Sequence, residues 1–272
     1  RDPDMQCEMM PAERMFPHLA DSHYADDSRI LDLFVFLHNA ARAELRDLHA
    51  MLDAIRARVD FSNSALVAAS RRRLRADLKS LQLWWRDTAA LLDTVFAVEE
   101  AVFFNWLSQY ARLDTGPFAR QRRAPHMKQI RTRLGAVSRH LLKVNSAYQP
   151  DELVGGLASL LRCCNDVSAS CLVYMDRVEQ YVPKCRAEIL SLVAKGSLEM
   201  EARTYLFKYA HRKNRKPAHM LAGLLRWSEE NGNGEWTGGY LKGRRTRFMY
   251  NQVWKKAWYN GHLRHVEAVT RA

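Results

Sequence analysis

Residues 91–107 read LLDTVFAVEEAVFFNWL, an almost wholly apolar run that contains two adjacent acids, Glu99 and Glu100. Placed on a helix, the apolar residues cover more than half of the circumference, which predicts a buried helix. A carboxylate on a buried helix has to be paired, hydrogen-bonded, protonated or bound to a metal, because a bare charge is costly in low dielectric. The partners of these two acids are therefore the first question that the sequence poses.

The same helical spacing extends over most of the chain. It predicts four long helices and two short ones, at about 28–58, 64–111, 126–146, 151–194, 197–210 and 218–227. Pro183 is expected to kink the fourth helix, and Gly196-Ser197 to end it. Strand signals are confined to short pieces near Trp236 and Tyr240.

These elements predict an all-α fold, an up-down-up-down four-helix bundle. We expect the bundle at 28–196, between an irregular N-terminal arm at 1–27 and a basic, aromatic C-terminal extension at 197–272. The composition, 47% apolar and 26% charged over 272 residues, is that of an ordinary soluble globular protein. No apolar run approaches the roughly 18–20 residues that a membrane span needs.

The five cysteines follow no zinc-site spacing, and we expect reduced thiols. Reduced thiols predict an intracellular location, which includes an organelle reached after removal of a targeting peptide. The motifs HExxH, CxxC, GxSxG and GxxxxGK[ST] are absent, so sequence motifs give no support for a hydrolase or a nucleotide-binding protein. His49 and His140 occupy helical positions without partners at ligand spacing, and we expect them at the surface or in an interface.

Three stretches resemble hemerythrin-like domains. EEAVFFNWL at 99–107 resembles the end of the family's second helix, with Asn105 where proline often sits. MDRVEQYVP at 175–183 resembles the matching end of the fourth helix, with Pro183 in place, and FLHNAARAELRDLHAML at 36–52 resembles the first helix. The resemblance covers residues 28–194 and implies a bundle that holds a non-haem di-iron centre.

Carried over residue by residue, the resemblance implies four metal ligands, one from each long helix: His38, Glu100, His126 and Glu179. The family pairs each carboxylate with a histidine four residues earlier, and those positions hold Phe96 and Met175 here. The reduced set could hold one divalent ion, iron or another, but it lacks the imidazoles of a di-iron site. We therefore expect a degenerate metal site, with no cofactor and with apolar side chains filling the emptied space.

Each of the four residues also has a structural interpretation. His38 suits a core histidine that is hydrogen-bonded to a neighbour, and Glu100 suits a carboxylate paired with a buried histidine or arginine. His126 follows Pro125 and would lie in a first helical turn, near the end of the bundle. Glu179 suits a solvated or salt-bridged position.

Basic residues are concentrated near the C-terminal end. From Lys208 onward there are 14 Lys+Arg against 4 Asp+Glu, a net charge of +10, whereas the whole chain has a net charge of +12. The segment LKGRRTRFMYNQVWKKAWYNGHLRH at 241–265 interleaves these cations with aromatic residues. The candidate partner-binding residues are Arg244, Arg245, Arg247, Tyr250, Trp254, Lys255, Lys256 and Trp258.

Basic residues mixed with aromatic ones suit three kinds of partner: another protein, nucleic acid, or an anionic membrane surface. Tyr250, Trp254 and Trp258 recur every four residues and so share one helix face, which is the pattern of a helix that docks on protein. That protein is either the chain's own bundle or a separate subunit.

The sequence thus predicts a non-catalytic accessory or structural subunit that docks into a larger assembly through residues 208–272. One alternative is a protein that binds iron or another divalent metal as a sensor, store or oxidase. Another is a nucleic-acid-associated subunit of a ribonucleoprotein, whose binding would weaken steeply as salt rises.

Overall fold

The computed structural model describes residues 29–58, 64–109, 118–147, 149–182, 192–230 and 240–271. These residues form helices and short turns, without a strand among them, and the predicted all-α fold is confirmed. The N-terminal arm, the kink at Pro183 and the strand signal at Trp236 lie outside the described residues.

The helices before residue 231 are α1 (Arg29–Arg58), α2 (Ser64–Val98), α3 (Arg120–Ser146), α4 (Pro150–Tyr181), α5 (Leu192–Arg212) and α6 (Pro217–Glu230). Helix α2 continues through a π-helical turn, Glu99–Phe103, into a last α-helical turn, Phe104–Leu107. The two acids of the apolar run therefore begin the π-helical turn.

The chain after residue 243 is a succession of α-helical and π-helical segments: Arg244–Met249, Tyr250–Trp254, Lys255–Trp258, Tyr259–Leu263 and Arg264–Thr270. We call residues 244–270 the C-terminal helix. Each π-helical turn inserts an extra residue, and such insertions are frequent at functional sites.

Two helices differ from their predicted bounds. Helix α3 begins at Arg120, so Pro125 lies inside it. The buried Arg123 belongs to this first part of α3, and its guanidinium donates to the Phe118 carbonyl and to Glu100. The prediction that Gly196-Ser197 ends a helix was wrong, because α5 runs through both residues.

Helices α3 and α4 pack closely against each other, and α1 packs against α2, α4 and α6. Gly156 allows the α3–α4 approach, because an added Cβ would lie 2.9 Å from Val144 Cγ2. The C-terminal helix packs on α1, α2 and α6. One hydrophobic cluster joins side chains from Leu33 to Val269, and the expected domain boundary at 196 falls within α5.

None of the described helices combines the length and apolar character needed to cross a membrane.

Candidate functional site

Glu99 and Glu100 are adjacent in sequence but lie in different environments. The side chain of Glu99 is fully buried. Glu100 pairs with Arg123 through two contacts, Nε to Oε1 at 2.6 Å and Nη2 to Oε2 at 3.0 Å. A bidentate arginine–carboxylate pair is a strong and geometrically specific contact. Glu100 is thereby used in joining α2 to α3, as its structural interpretation anticipated.

His38 of α1 lies between two carboxylates from two other helices. Its Nδ1 is 2.7 Å from Glu179 Oε1, and its Nε2 is 3.0 Å from Glu99 Oε1. The imidazole is fully buried. Since both ring nitrogens face carboxylate oxygens, a doubly protonated ring matches both neighbours. We call His38, Arg42, Glu99 and Glu179 the histidine–carboxylate cluster.

Arg42, one turn after His38, completes this cluster. Its Nη1 donates to Glu179 Oε1 at 2.7 Å and its Nη2 to Glu179 Oε2 at 3.0 Å. Burial raises the pKa of Glu179, but hydrogen bonds from His38 and Arg42 outweigh it and lower that pKa to about 2. Glu179 therefore remains ionised at neutral pH, held by two cations of α1.

The charge of His38 follows from the same contacts. Burial lowers the pKa of His38, yet the carboxylates of Glu99 and Glu179 outweigh it, and the net pKa is raised. Burial raises the pKa of Glu99, against the opposing effect of His38. Burial and the nearby Glu99 also raise the pKa of Tyr174. The cluster is thus a buried cation between two acids of unequal strength.

Neither the four predicted ligands nor the neighbouring Glu99 form a group that could hold a metal ion in this arrangement. The carboxylates of Glu99 and Glu179 approach opposite nitrogens of one imidazole rather than a common point. Arg42 occupies both oxygens of Glu179, and Arg123 occupies both oxygens of Glu100. Throughout the described ranges, no group of three or more His, Cys, Asp or Glu side chains is arranged to hold an ion.

The remaining histidines also depart from the ligand pattern. His126 is exposed on α3 and borders a cavity with Arg122 and Arg177. His49, expected at the surface or in an interface, is instead fully buried within the chain, with its Nε2 3.0 Å from Ser168 Oγ. Burial lowers the pKa of His49 to about 4, so it stays neutral.

Phe96 and Met175 occupy the positions where the resemblance would place histidines. Both side chains are buried in the core. Phe96 meets the ring of Tyr174 edge to face, with 5.4 Å between the ring centroids. Apolar packing thus occupies the space beside the histidine–carboxylate cluster.

The C-terminal helix has an inner face that is buried against the chain itself. Tyr250 and Trp258 are buried, and Trp254 packs partly against the core. The four-residue spacing continues to His262, which is also fully buried. The sequence left open whether these aromatic residues pack on the chain itself or on a partner, and in this structure they contact the chain's own helices.

His262 is the centre of a second buried polar group. Its Nε2 is 2.7 Å from Glu44 Oε2, and Thr88 Oγ1 donates to the same oxygen at 3.0 Å. Its ring stacks on Trp258 at 3.8 Å and on Trp84 at 5.5 Å. Burial raises the pKa of Glu44, but His262 and then Arg226 outweigh it and lower the pKa. This group fixes the C-terminal helix to α1 and α2.

Gly223 of α6 determines how closely the C-terminal helix approaches. A Cβ there would lie 2.8 Å from Leu91 Cδ2 and 3.0 Å from Trp258 Cη2. We expect Gly223→Ala to lower the free energy of unfolding by about 1–3 kcal/mol, because the Trp258 ring is held by His262 and cannot move freely. Chemical denaturation measures this change.

Gly155→Ala is the matched control. Gly155 lies within α4, and nothing is within 4 Å of the added Cβ. Alanine should therefore stabilise the chain by roughly 0.5–1 kcal/mol through its better helix propensity. If both variants were stabilised, the close contact at Gly223 would not be a constraint.

The outer face of the C-terminal helix has the opposite character. Phe248, Val253 and Tyr259 are exposed by 62%, 45% and 46%. They account for half of the six large apolar side chains that are exposed among the described residues. Residues 244–259 also contain five basic residues and no acidic one. We call the exposed side chains of residues 244–259 the outer face.

The sequence analysis did not identify three residues that form the two buried polar groups, namely Arg42, Glu44 and His262. A signal existed for two of them. Arg42 follows His38 by four residues on the same helix face, and His262 continues the Tyr250, Trp254, Trp258 spacing. Glu44 has no such local signal, because its partner is 218 residues away.

No family model matches this chain, and neither a curated protein nor a solved structure matches it.

Proposed function

We propose that this chain is a non-catalytic structural subunit of a larger assembly, and that it binds a partner protein through the outer face. The observation that supports this most directly is the contrast between the two faces of the C-terminal helix. Its inner face packs against the chain through buried aromatic residues and His262. Its outer face exposes Phe248, Val253 and Tyr259 among basic side chains. Aromatic residues and arginines are the preferred anchors of protein interfaces.

The charge of the outer face indicates the kind of partner. Five basic residues without an acid favour a protein surface rich in Asp and Glu, since complementary charge raises association rates and specificity. The apolar side chains at 248, 253 and 259 would then be covered by apolar residues of the same partner. Because Cys163, Cys164 and Cys171 are free thiols, we place the assembly in a reducing intracellular compartment, the cytosol or an organelle.

The scaffold that presents this face is, in our proposal, a hemerythrin-like up-down-up-down bundle whose metal centre has decayed. The proximity of His38 and Glu179 supports it, since the resemblance expects these two side chains to meet. The burial of Phe96 and Met175 supports the decay. In place of a metal, the cationic His38 holds the acids of α2 and α4 together.

The test compares the size of the complex that contains the wild-type chain with the size of the complex that contains a variant, both taken from the cells that express the protein. We expect the tagged chain to sediment in a complex much larger than its own 31.5 kDa. The triple variant Phe248→Ser, Val253→Ser, Tyr259→Ser should sediment as the free chain while keeping its helix content. Loss of three exposed anchors removes the apolar contact without disturbing the buried inner face.

A double variant on another surface, Leu83→Ser with Leu142→Ser, is the control, since both side chains are also exposed. It should leave the complex intact. Treating the wild-type complex with nuclease or detergent tests the alternatives: dissociation by nuclease would assign the face to nucleic acid, and dissociation by detergent to a membrane. A wild-type chain that sediments at 31.5 kDa would contradict the proposal.

A further inference from the structure

A cavity of about 590 Å³ lies between the first half of α3 and the second half of α4. Pockets for small molecules measure roughly 300–1,000 Å³, so the size suits one small organic ligand. All of its lining residues lie within 118–133 and 169–181, so it is distinct from the outer face of the C-terminal helix. It therefore does not belong to the docking surface proposed above.

Four arginines line this cavity, and no acidic side chain does: Arg122, Arg123, Arg133 and Arg177. Arg123 is balanced by Glu100. Arg133 donates to Ser170 and to the Asp166 carbonyl, which are uncharged acceptors. Within the described ranges, Arg122 and Arg177 form no ion pair. The cavity thus has a surplus of positive charge, which favours an anionic ligand.

The rest of the lining combines apolar and aromatic side chains with four polar ones, His126, Gln129, Ser170 and Gln180. Phe118 stacks on Tyr181 with ring centroids 4.7 Å apart, and both line the cavity. Ile130 contributes to the wall from α3, and Val173 from α4. Val173 is 49% exposed, so part of its side chain is accessible to a ligand in the cavity. A ligand with an apolar or aromatic body would cover Val173, which a bare inorganic anion would not.

We propose that this arginine-lined cavity binds a nucleotide, with its phosphate on Arg122 and Arg177 and its base against Val173 and Tyr181. Guanidinium groups match phosphate oxygens in a bidentate geometry, and flat bases pack well on aromatic and apolar walls. The nucleotide is either free or at the 5′ end of a strand, since both present the same phosphate and ring.

The test is calorimetric titration of the full chain with AMP, adenosine, inorganic phosphate and a 5′-phosphorylated trinucleotide. AMP should bind more tightly than adenosine and inorganic phosphate by at least tenfold each. If the trinucleotide also binds tightly, the cavity accepts the 5′ end of a strand. If AMP binds and the trinucleotide does not, the ligand is a free nucleotide. Absence of binding by both, or equal binding by inorganic phosphate, would overturn the proposal.

Three variants locate the site. Arg177→Glu should weaken AMP binding roughly ten- to hundredfold, the factor for losing a charge-assisted hydrogen bond. Arg212→Glu makes the same change of charge in a different cleft and should have little effect. Ala169→Trp fills the cavity from an exposed helical position without changing charge, and should also abolish binding. If Arg177→Glu and Arg212→Glu weakened AMP binding equally, the binding would be non-specific charge attraction, and the proposed site would be wrong.

Discussion

Replacing His262 with alanine should lower the free energy of unfolding by about 3–5 kcal/mol, because it removes a fully buried aromatic ring and the hydrogen-bond partner closest to the buried Glu44. The side chains of both residues are at most 1% exposed. The variant also empties the space beside Trp84 and Trp258, both of which stack on the ring. Urea unfolding measures the loss, and amide exchange should locate it in residues 244–270.

The control for this result is His265→Ala. His265 lies one turn further along the C-terminal helix and is only partly buried. Its replacement should change the free energy of unfolding by about 0.5 kcal/mol or less, as expected for a surface substitution. If His262→Ala cost no more than His265→Ala, the C-terminal helix would not depend on the His262–Glu44 pair.

His38→Ala should have a similar cost, about 3–5 kcal/mol at neutral pH, because Glu99 is then buried without a cation. Glu179 retains Arg42 and so contributes less to the loss. The double variant His38→Phe, Glu99→Leu removes both the charge and its partner. It should recover about half of the lost stability or more, since a buried pair can be replaced by apolar packing at little cost.

The pH dependence of stability tests the charge of His38. Its pKa in the folded chain is raised above the ordinary value of 6.5, so the folded state binds more protons than the unfolded state above that pH. Stability from His38 is therefore complete below pH 6.5 and is lost as pH rises through the folded pKa. Glu99 and Glu179 face the ring, Arg42 binds both oxygens of Glu179, and Tyr174 lies beside Glu99.

On the acid side, Glu179 has a pKa lowered from 4.5 to about 2. Its stabilising contribution is present above pH 4.5 and is lost as the pH falls toward 2. The difference between wild type and His38→Ala, measured by urea unfolding from pH 6 to pH 9, isolates the alkaline effect. If the free energy of unfolding of the wild type, relative to that of the variant, stayed level or rose as the pH increased, His38 would be neutral in the folded chain.

The helices were predictable from sequence because their signal is local. Apolar spacing gave α1 and most of α2 and α4, and it also indicated that Glu99 lies on a buried helix. The start of α3 was missed because Pro125 suggested a boundary, whereas the pairing of Arg123 with Glu100 extends the helix further back. That pairing joins residues on two helices, and no local pattern reveals it.

The partners of the buried acids were harder to predict. Glu100 was carried over as a ligand, yet the acid that meets His38 is Glu99. Adjacent residues on a regular helix point about 100° apart, and the π-helical turn that begins at Glu99 changes the direction again. A one-residue shift of this kind cannot be read from spacing that assumes a regular helix.

The most direct test of the proposed function is cross-linking of the assembly, isolated from the cells that express the protein, with a carbodiimide, which activates carboxylates so that they form amides with nearby lysine amines. Lys255 and Lys256 are exposed on the outer face, whereas Lys79, Lys128 and Lys143 are exposed on α2 and α3. We predict that Lys255 and Lys256 cross-link to acidic segments of a second polypeptide, and that the other three do so rarely. Cross-links to a second polypeptide only from Lys79, Lys128 and Lys143 would contradict docking through the C-terminal helix.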